Sequence, residues 1–159
     1  ALFDSMNVFD NVAFPLRERG EKNPSVIMEK VEQALAMVNM SGHDRKMPVN
    51  LSGGMRKRVA LARAIISPPA VILYDEPTAG LDPIVSDSIN KLIRHLQKEL
   101  HVTSIVVTHD MVSCYHIADR VALLSEGRIY FIGTPEELRS TTDPNVRDFV
   151  DGRSGETIY

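Results

Sequence analysis

The 159-residue chain contains a single cysteine, Cys114. No intrachain disulfide can form, whereas secreted domains of this size often carry several, so a reducing compartment is favoured. Charge of one sign is also lacking: 18 Lys+Arg stand against 21 Asp+Glu, a formal net charge of −3. That balance argues against a nucleic-acid partner, whose phosphates select strongly basic surfaces. No apolar run approaches the length of a membrane-crossing helix, and no basic region followed by an apolar stretch opens the chain. A membrane could still be reached through a partner. Internal repeats and low-complexity segments are absent, and the length fits one domain or most of one.

What is present changes character partway along. Asn7 with Asp10 three residues later predicts a helix start, limited by Pro15. After a polar turn at 20–25, Ile27, Val31, Leu35 and Val38 recur at helical spacing, and Gly42 is the expected stop. Ser52 opens another helix through Val59, Leu61, Ala62 and Ile65, ended by Pro68-Pro69. The run Val71-Ile72-Leu73-Tyr74 then predicts a strand buried on both faces, and Ser104 to Thr108 a second. Between them Asp82-Pro83 caps a long helix with Ile89, Leu92, Ile93, Leu96 and Leu100 inward. A helix over 110–118, a strand over 121–124, a Glu126-Gly127 turn and a strand over 129–132 follow. Thr134-Pro135-Glu136-Glu137 and Asp143-Pro144 each open a short helix, the second carrying Val146, Phe149 and Val150. Residues 152–159 read as a frayed tail. Alternating strands and helices imply a parallel α/β sheet.

Three segments carry chemistry. In Leu51-Ser52-Gly53-Gly54-Met55 a Ser cap and two glycines let backbone amides and a positive helix end approach an anion. Asp75-Glu76 places two carboxylates at the end of a strand, where one can hold the water shell of Mg²⁺ and its neighbour can orient or deprotonate an attacking water. His109 ends the second strand and can hydrogen-bond a phosphoryl group. Taken singly, each reads more readily as a capped helix, a solvated strand end or a structural histidine than as a site. His43, His95, His101 and His116 read as solvated. Arg56, Lys57, Arg58 and Arg63 read as a solvated face and ion-pair partners.

The order and spacing of all three, with Pro77-Thr78-Ala79-Gly80-Leu81-Asp82 directly after the acids, closely resembles the ATP-binding cassette (ABC) family over roughly residues 1–150. The resemblance implies an α/β fold, the C-terminal part of a P-loop NTPase cassette, with a helical subdomain followed by a partial parallel sheet flanked by helices. The helical signature subdomain would be 1–66, a partial RecA-like core 67–142, and a C-terminal helix and tail 143–159. Residues 51–55 correspond to the signature motif, with Met55 where many members have Gln. Tyr74-Asp75-Glu76 closes the Walker B strand, Ala79 to Asp82 is the D-loop, and His109 is the switch histidine. By the same resemblance Asp75 supports Mg²⁺, Glu76 is the general base and His109 contacts the γ-phosphate of ATP. Ser52, Gly53 and Gly54 touch the ATP held by a second ATPase subunit, and Asp82 communicates across that dimer.

Gly-x-x-x-x-Gly-Lys-Ser/Thr occurs nowhere in the chain, and no glycine is followed by lysine, so the Walker A phosphate loop is missing. The family's glutamine ahead of the helical subdomain has no counterpart, since Gln33 and Gln97 fall on predicted helices. The expectation is a partial record, cut just after that glutamine and inactive alone, with a gap in the sheet that leaves it unstable or self-associating. The runs 2–12, 53–58 and 146–152 look like the ATPase subunits of Mla-type systems, which move phospholipids between bacterial envelope membranes. That likeness implies a membrane permease docking near residues 8–16, an MCE-domain lipid-binding protein beyond the membrane, and a cytoplasmic position on the inner face of the cytoplasmic membrane. The alternative is a non-catalytic interaction or regulatory module that binds a permease or a full-length ATPase. A soluble ABC protein of translation or DNA repair fits less well with residues 8–16.

Overall fold

The computed structural model describes residues 2–153; Ala1 and residues 154–159 of the expected tail lie outside the described residues. Those described group into two compact units, divided between Val107 and Thr108. Among them no helix is long and apolar enough to cross a membrane.

The first unit runs α1 (Val8–Glu18), α2 (Pro24–Met37), a 3-10 turn (Pro48–Asn50), α3 (Gly53–Ile65), β1 (Val71–Asp75), α4 (Pro83–Leu100) and β2 (Thr103–Val107). Polar side chains start every α-helix. The Asn7 side chain accepts from the Asp10 amide, Asn23 from Ser25, Ser52 from Met55, and Asp82 from Ile84 and Val85. Each such cap contributes about 1 kcal/mol.

Two expected helix ends are corrected. Pro15 lies inside α1. Its missing N–H costs about 3 kcal/mol, offset by burial of Leu16 just beyond it and by closure at Gly20, where the Glu21 and Gly20 amides donate to the Leu16 and Arg17 carbonyls. In α2 the stop is Asn39, not Gly42. Asn39 takes φ 56°, and the Met40 and Asn39 amides donate back to Leu35 and Ala36. Asn tolerates this left-handed position better than most residues, which lets it do the work of glycine.

One apolar cluster joins Val8 and Val12 of α1, Val31 of α2, Val59 and Ala62 of α3, Ile72 and Tyr74 of β1, and Ile89, Ile93 and Leu96 of α4. Burial raises the Tyr74 phenol above its ordinary pKa. β1 and β2 pair in parallel with Leu73 opposite Ile105. The expectation of strands buried on both faces fails. Ile72 and Tyr74 point into the cluster, but Leu73 is 74% exposed and Ile105 and Val107 are 54% and 59% exposed. The helices of this unit cover one face only, so an apolar run alternates between core and surface because successive side chains point to opposite faces.

The second unit holds α5 (Met111–Ile117), β3 (Val121–Ser125), β4 (Arg128–Gly133), α6 (Pro135–Ser140) and α7 (Pro144–Val150). β3 and β4 form an antiparallel hairpin, and among the described residues β3 does not join the parallel pair. Its two-residue turn has φ 48° at Glu126 and 73° at Gly127, the doubly left-handed geometry that matches strand twist. A full capping box links Thr134 and Glu137 at the start of α6. Of Val146, Phe149 and Val150 only Val146 is buried. Gly152 is not frayed: its amide donates to Phe149 and that of Arg153 to Asp148, closing α7 with Gly152 at φ 64°.

Candidate functional site

The signature segment begins α3. Ser52 is exposed, and its hydroxyl accepts from the Met55 amide at 3.3 Å. The first amides of the helix, at Gly53 and Gly54, face the positive end where an anion is favoured. Gly54 is also required by this chain's own packing, and Gly53 sits in tight contact. A Cβ on Gly53 would lie 3.0 Å from Leu81 Cδ2, and one on Gly54 only 2.6 Å from Val85 Cγ1. The structure therefore brings Gly53 and Gly54 against the loop and helix that follow the acid pair, while Ser52 stays exposed beside them.

Asp75 is the last residue of β1 and is exposed. Glu76 leaves the strand with φ 45°, a conformation that costs a non-glycine residue about 1 kcal/mol or more. Its amide donates to the Val107 carbonyl at 2.9 Å, while its carbonyl accepts from the Ala79 amide at 3.3 Å and from Lys57 Nζ at 2.7 Å. Pro77 and Thr78 are buried, and Gly80 at φ 76° turns the chain toward Asp82. The Asp82 carboxylate is engaged locally: Oδ1 accepts from the Ile84 and Val85 amides, both at 3.0 Å.

The cations of α3 were expected to form a solvated face with ion-pair partners; Arg56 is exposed, but three of them donate to neutral oxygens. Arg56 donates to the Leu51 carbonyl at 2.9 Å, Lys57 to Glu76, and Arg58 to the Val38 carbonyl and Ser88 Oγ. Arg63 lies over the Phe3 ring at 5.2 Å and reaches Asn11 Oδ1 at 3.4 Å, and burial lowers its pKa. Backbone carbonyls are partners that no sequence pattern announces. Asn11 was legible in principle, as a polar residue on the inward stripe of α1 between Val8 and Val12. Fully buried, it accepts from the Phe3 amide at 2.8 Å and donates to the carbonyls of Phe3, Met6 and Asn7.

His109 belongs to the second unit and is exposed, immediately before the N-cap of α5. Burial alone would raise the Asp110 carboxyl. Hydrogen bonds from the Ser113 hydroxyl and amide and the Val112 amide, with the neighbouring His109 charge, hold it below the ordinary carboxylate range. Burial also raises the Cys114 thiol, which makes it a poor nucleophile. Of the other histidines, His95, His101 and His116 are exposed as expected, but His43 is half-buried and its Nδ1 is enclosed without a hydrogen-bond partner.

The residues fit Mg²⁺ and a nucleotide phosphate. Asp75 and Glu76 supply hard oxygen donors, and among the described residues no third acid, histidine or cysteine joins them. Mg²⁺ is commonly held this way, by one or two carboxylates plus substrate phosphates and water.

Comparison with known proteins agrees with this geometry. Residues 1–79 match the family model described as ABC transporter. The intermembrane phospholipid transport system ATP-binding protein MlaF of Escherichia coli is 44% identical over 152 residues, covering 96% of this chain and 56% of that one. The probable ribonucleotide transport ATP-binding protein mkl of Mycobacterium tuberculosis is 40% identical over 153 residues, 96% of this chain and 43% of that protein. Sulfate/thiosulfate import protein CysA of Bacillus cereus is 44% identical over 154 residues, with 94% and 43% covered. The chain spans about half the length of the curated relatives it matches. Among solved structures, cbiO1 of Clostridium perfringens, part of the ABC transporter complex cbiONQ, superposes with a TM-score of 0.79 at 35% identity, over 87% of this chain and 55% of that one. A dimeric cassette, MJ0796, bound to ADP and Pi gives 0.73 at 30% identity over 84% and 59%. With the signature helix packed against the loop that follows the acid pair, and with these relatives in sequence and in structure, the chain belongs to the ABC transporter family of ATP-binding proteins.

Proposed function

We propose that the chain is part of the ATP-hydrolysing subunit of a transporter that moves phospholipid across the bacterial envelope. The acid pair Asp75-Glu76 at the end of β1 carries the ATPase reading, with the exposed Ser52 and the Gly53-Gly54 helix start supporting it as half of a second ATP site. Asp75 holds Mg²⁺, Glu76 is the general base, and His109 donates to the γ-phosphate. Ser52, Gly53 and Gly54 receive ATP held by a second ATPase subunit, and Asp82 signals across that dimer. Mg-ATP, when bound, supplies the phosphoanhydride whose cleavage releases free energy. The 159 residues alone, without Gly-Lys-Ser/Thr, do not bind Mg-ATP tightly, which calorimetry would show; tight binding would sink that part.

The phospholipid assignment draws support from MlaF and from the runs 2–12, 53–58 and 146–152, whereas mkl and CysA carry other substrates in their names. Partners on this reading are a permease docked on the helical subdomain near residues 8–16 and an MCE-domain protein beyond the membrane, with the subunit on the cytoplasmic face. A groove of about 860 Å³ lined by Phe9, Asp10, Met28, Leu35, Asp44 and Arg45 borders that site. The groove would equally serve the second reading, a non-catalytic module that binds a permease or a full-length ATPase.

In the transporter reconstituted in liposomes, Glu76→Gln should abolish hydrolysis while ATP binding persists, and movement of a fluorescent phospholipid should stop. Undiminished hydrolysis in that variant would remove Glu76 as the general base, whereas undiminished hydrolysis by a complex from which this subunit is omitted would favour the non-catalytic module. Hydrolysis indifferent to phospholipid but stimulated by sulfate or a ribonucleotide would overturn the lipid assignment alone.

A further inference from the structure

We infer that Lys57 is a positioning residue for Glu76, tying the orientation of its carboxylate to the place of the signature helix; this rests on reading Glu76 as the general base. Glu76 sits in the left-handed region at φ 45°, so its native backbone angles need outside support. The amide is held by the Val107 carbonyl of β2 at 2.9 Å, and the carbonyl by the Lys57 ammonium at 2.7 Å and, at greater length, by the Ala79 amide at 3.3 Å. Holding the peptide planes on both sides of the Glu76 Cα limits φ and ψ together, and with them the direction of the Cα–Cβ bond that carries the carboxylate.

The donor's location gives the contact its consequence. Lys57 is five residues after Ser52, little more than one turn into α3. The ammonium therefore rides on the same short rigid segment as the Gly53 and Gly54 amides. A charge-assisted bond of 2.7 Å leaves little slack. Loss of that bond leaves the Glu76 carbonyl with the longer 3.3 Å bond from the Ala79 amide, so the left-handed backbone is held less firmly. What occupies the helix start is thus linked to the pose of the base 24 positions further along the chain, within one subunit and without contact between the two side chains. The ion-pair role that a lysine among arginines suggests does not describe this contact, because the partner is a carbonyl.

The test uses Lys57→Met, which keeps the aliphatic stem, and Lys57→Arg, which keeps a cationic donor, each in the reconstituted transporter with Mg-ATP. Two readouts are followed: kcat and KM for hydrolysis, and hydrogen–deuterium exchange of the peptide spanning 74–81. For Lys57→Met we expect kcat to fall roughly 10- to 100-fold, the cost of a misplaced catalytic group, with KM within about twofold of wild type. Exchange should accelerate over 76–80 while α3 stays protected, and Lys57→Arg should recover most of the turnover. Wild-type kcat in Lys57→Met, or faster exchange spread through α3 with KM rising in step, overturns the positioning role while leaving the base assignment intact. Full turnover in the parallel Glu76→Gln variant removes the base assignment first, and the inference falls with it.

Discussion

Gly54, in the first turn of α3, lies so close to Val85 of α4 that a methyl group on it would come within 2.6 Å of Val85 Cγ1. A glycine that family resemblance explains by the approach of a nucleotide is thus demanded equally by the chain's own interior. The two demands separate experimentally. Gly54→Ala should lower stability by about 1–3 kcal/mol, the usual cost of overpacking, because Val85 is β-branched and cannot swing aside. Adding Val85→Ala should return most of that loss in denaturant unfolding. If the double variant is no more stable than the single, the close approach is not what the glycine serves.

Asn11 carries a second stability prediction. Its amide nitrogen donates to three carbonyls and its oxygen accepts the Phe3 amide. Asn11→Leu should cost about 3 kcal/mol through unsatisfied buried groups, and Asn11→Asp more, because an acceptor-only carboxylate would face the carbonyls of Phe3, Met6 and Asn7. Thermal melts of the three proteins test the order; Asp outranking Leu in stability would refute it.

Acid should weaken the second unit through Asp110. Its carboxyl is held below the ordinary range, so the folded state binds its proton less readily than the unfolded chain. That stability is fully present above the unfolded pKa of about 3.9 and is lost as pH falls through the lower folded value. Asp110→Ala should cost about 1 kcal/mol at neutral pH, as other N-caps do, and nearly nothing well below pH 3. A pH series of melting temperatures for both proteins gives the comparison, and a constant difference across the series would contradict the linkage.

The outward face of the parallel pair predicts association. Leu73 and Ile105 are register partners on that face, 74% and 54% exposed, and Val107 adds to them. An apolar patch on a sheet seeks cover. The 159-residue polypeptide should sediment as dimers or larger species at micromolar concentration, and Leu73→Thr with Ile105→Thr should move it toward monomer. A monodisperse wild-type monomer with a cooperative melt would rule this out.

Local chemistry was legible without coordinates wherever it was written in adjacent residues. The caps at Asn7, Ser52, Asp82, Thr134 and Asp143, the Glu126-Gly127 turn and the inward stripe of α4 needed only short-range sterics and hydrogen bonding, and the structure keeps all of them. The signature segment and the acid pair were legible for the same reason, as contiguous motifs. Other features depended on groups far apart in the chain. Pro15 stays helical because Leu16 is buried by its surroundings, Asn39 rather than Gly42 ends α2, and β1 and β2 keep one face open because the helices of their unit cover only the other. Lys57 looked like one more surface cation because its partner is the carbonyl of Glu76, and every residue has a carbonyl. Side-chain types and their spacing carry the periodicities and caps, whereas which backbone group a long cation finds is decided only when α3 packs beside the end of β1.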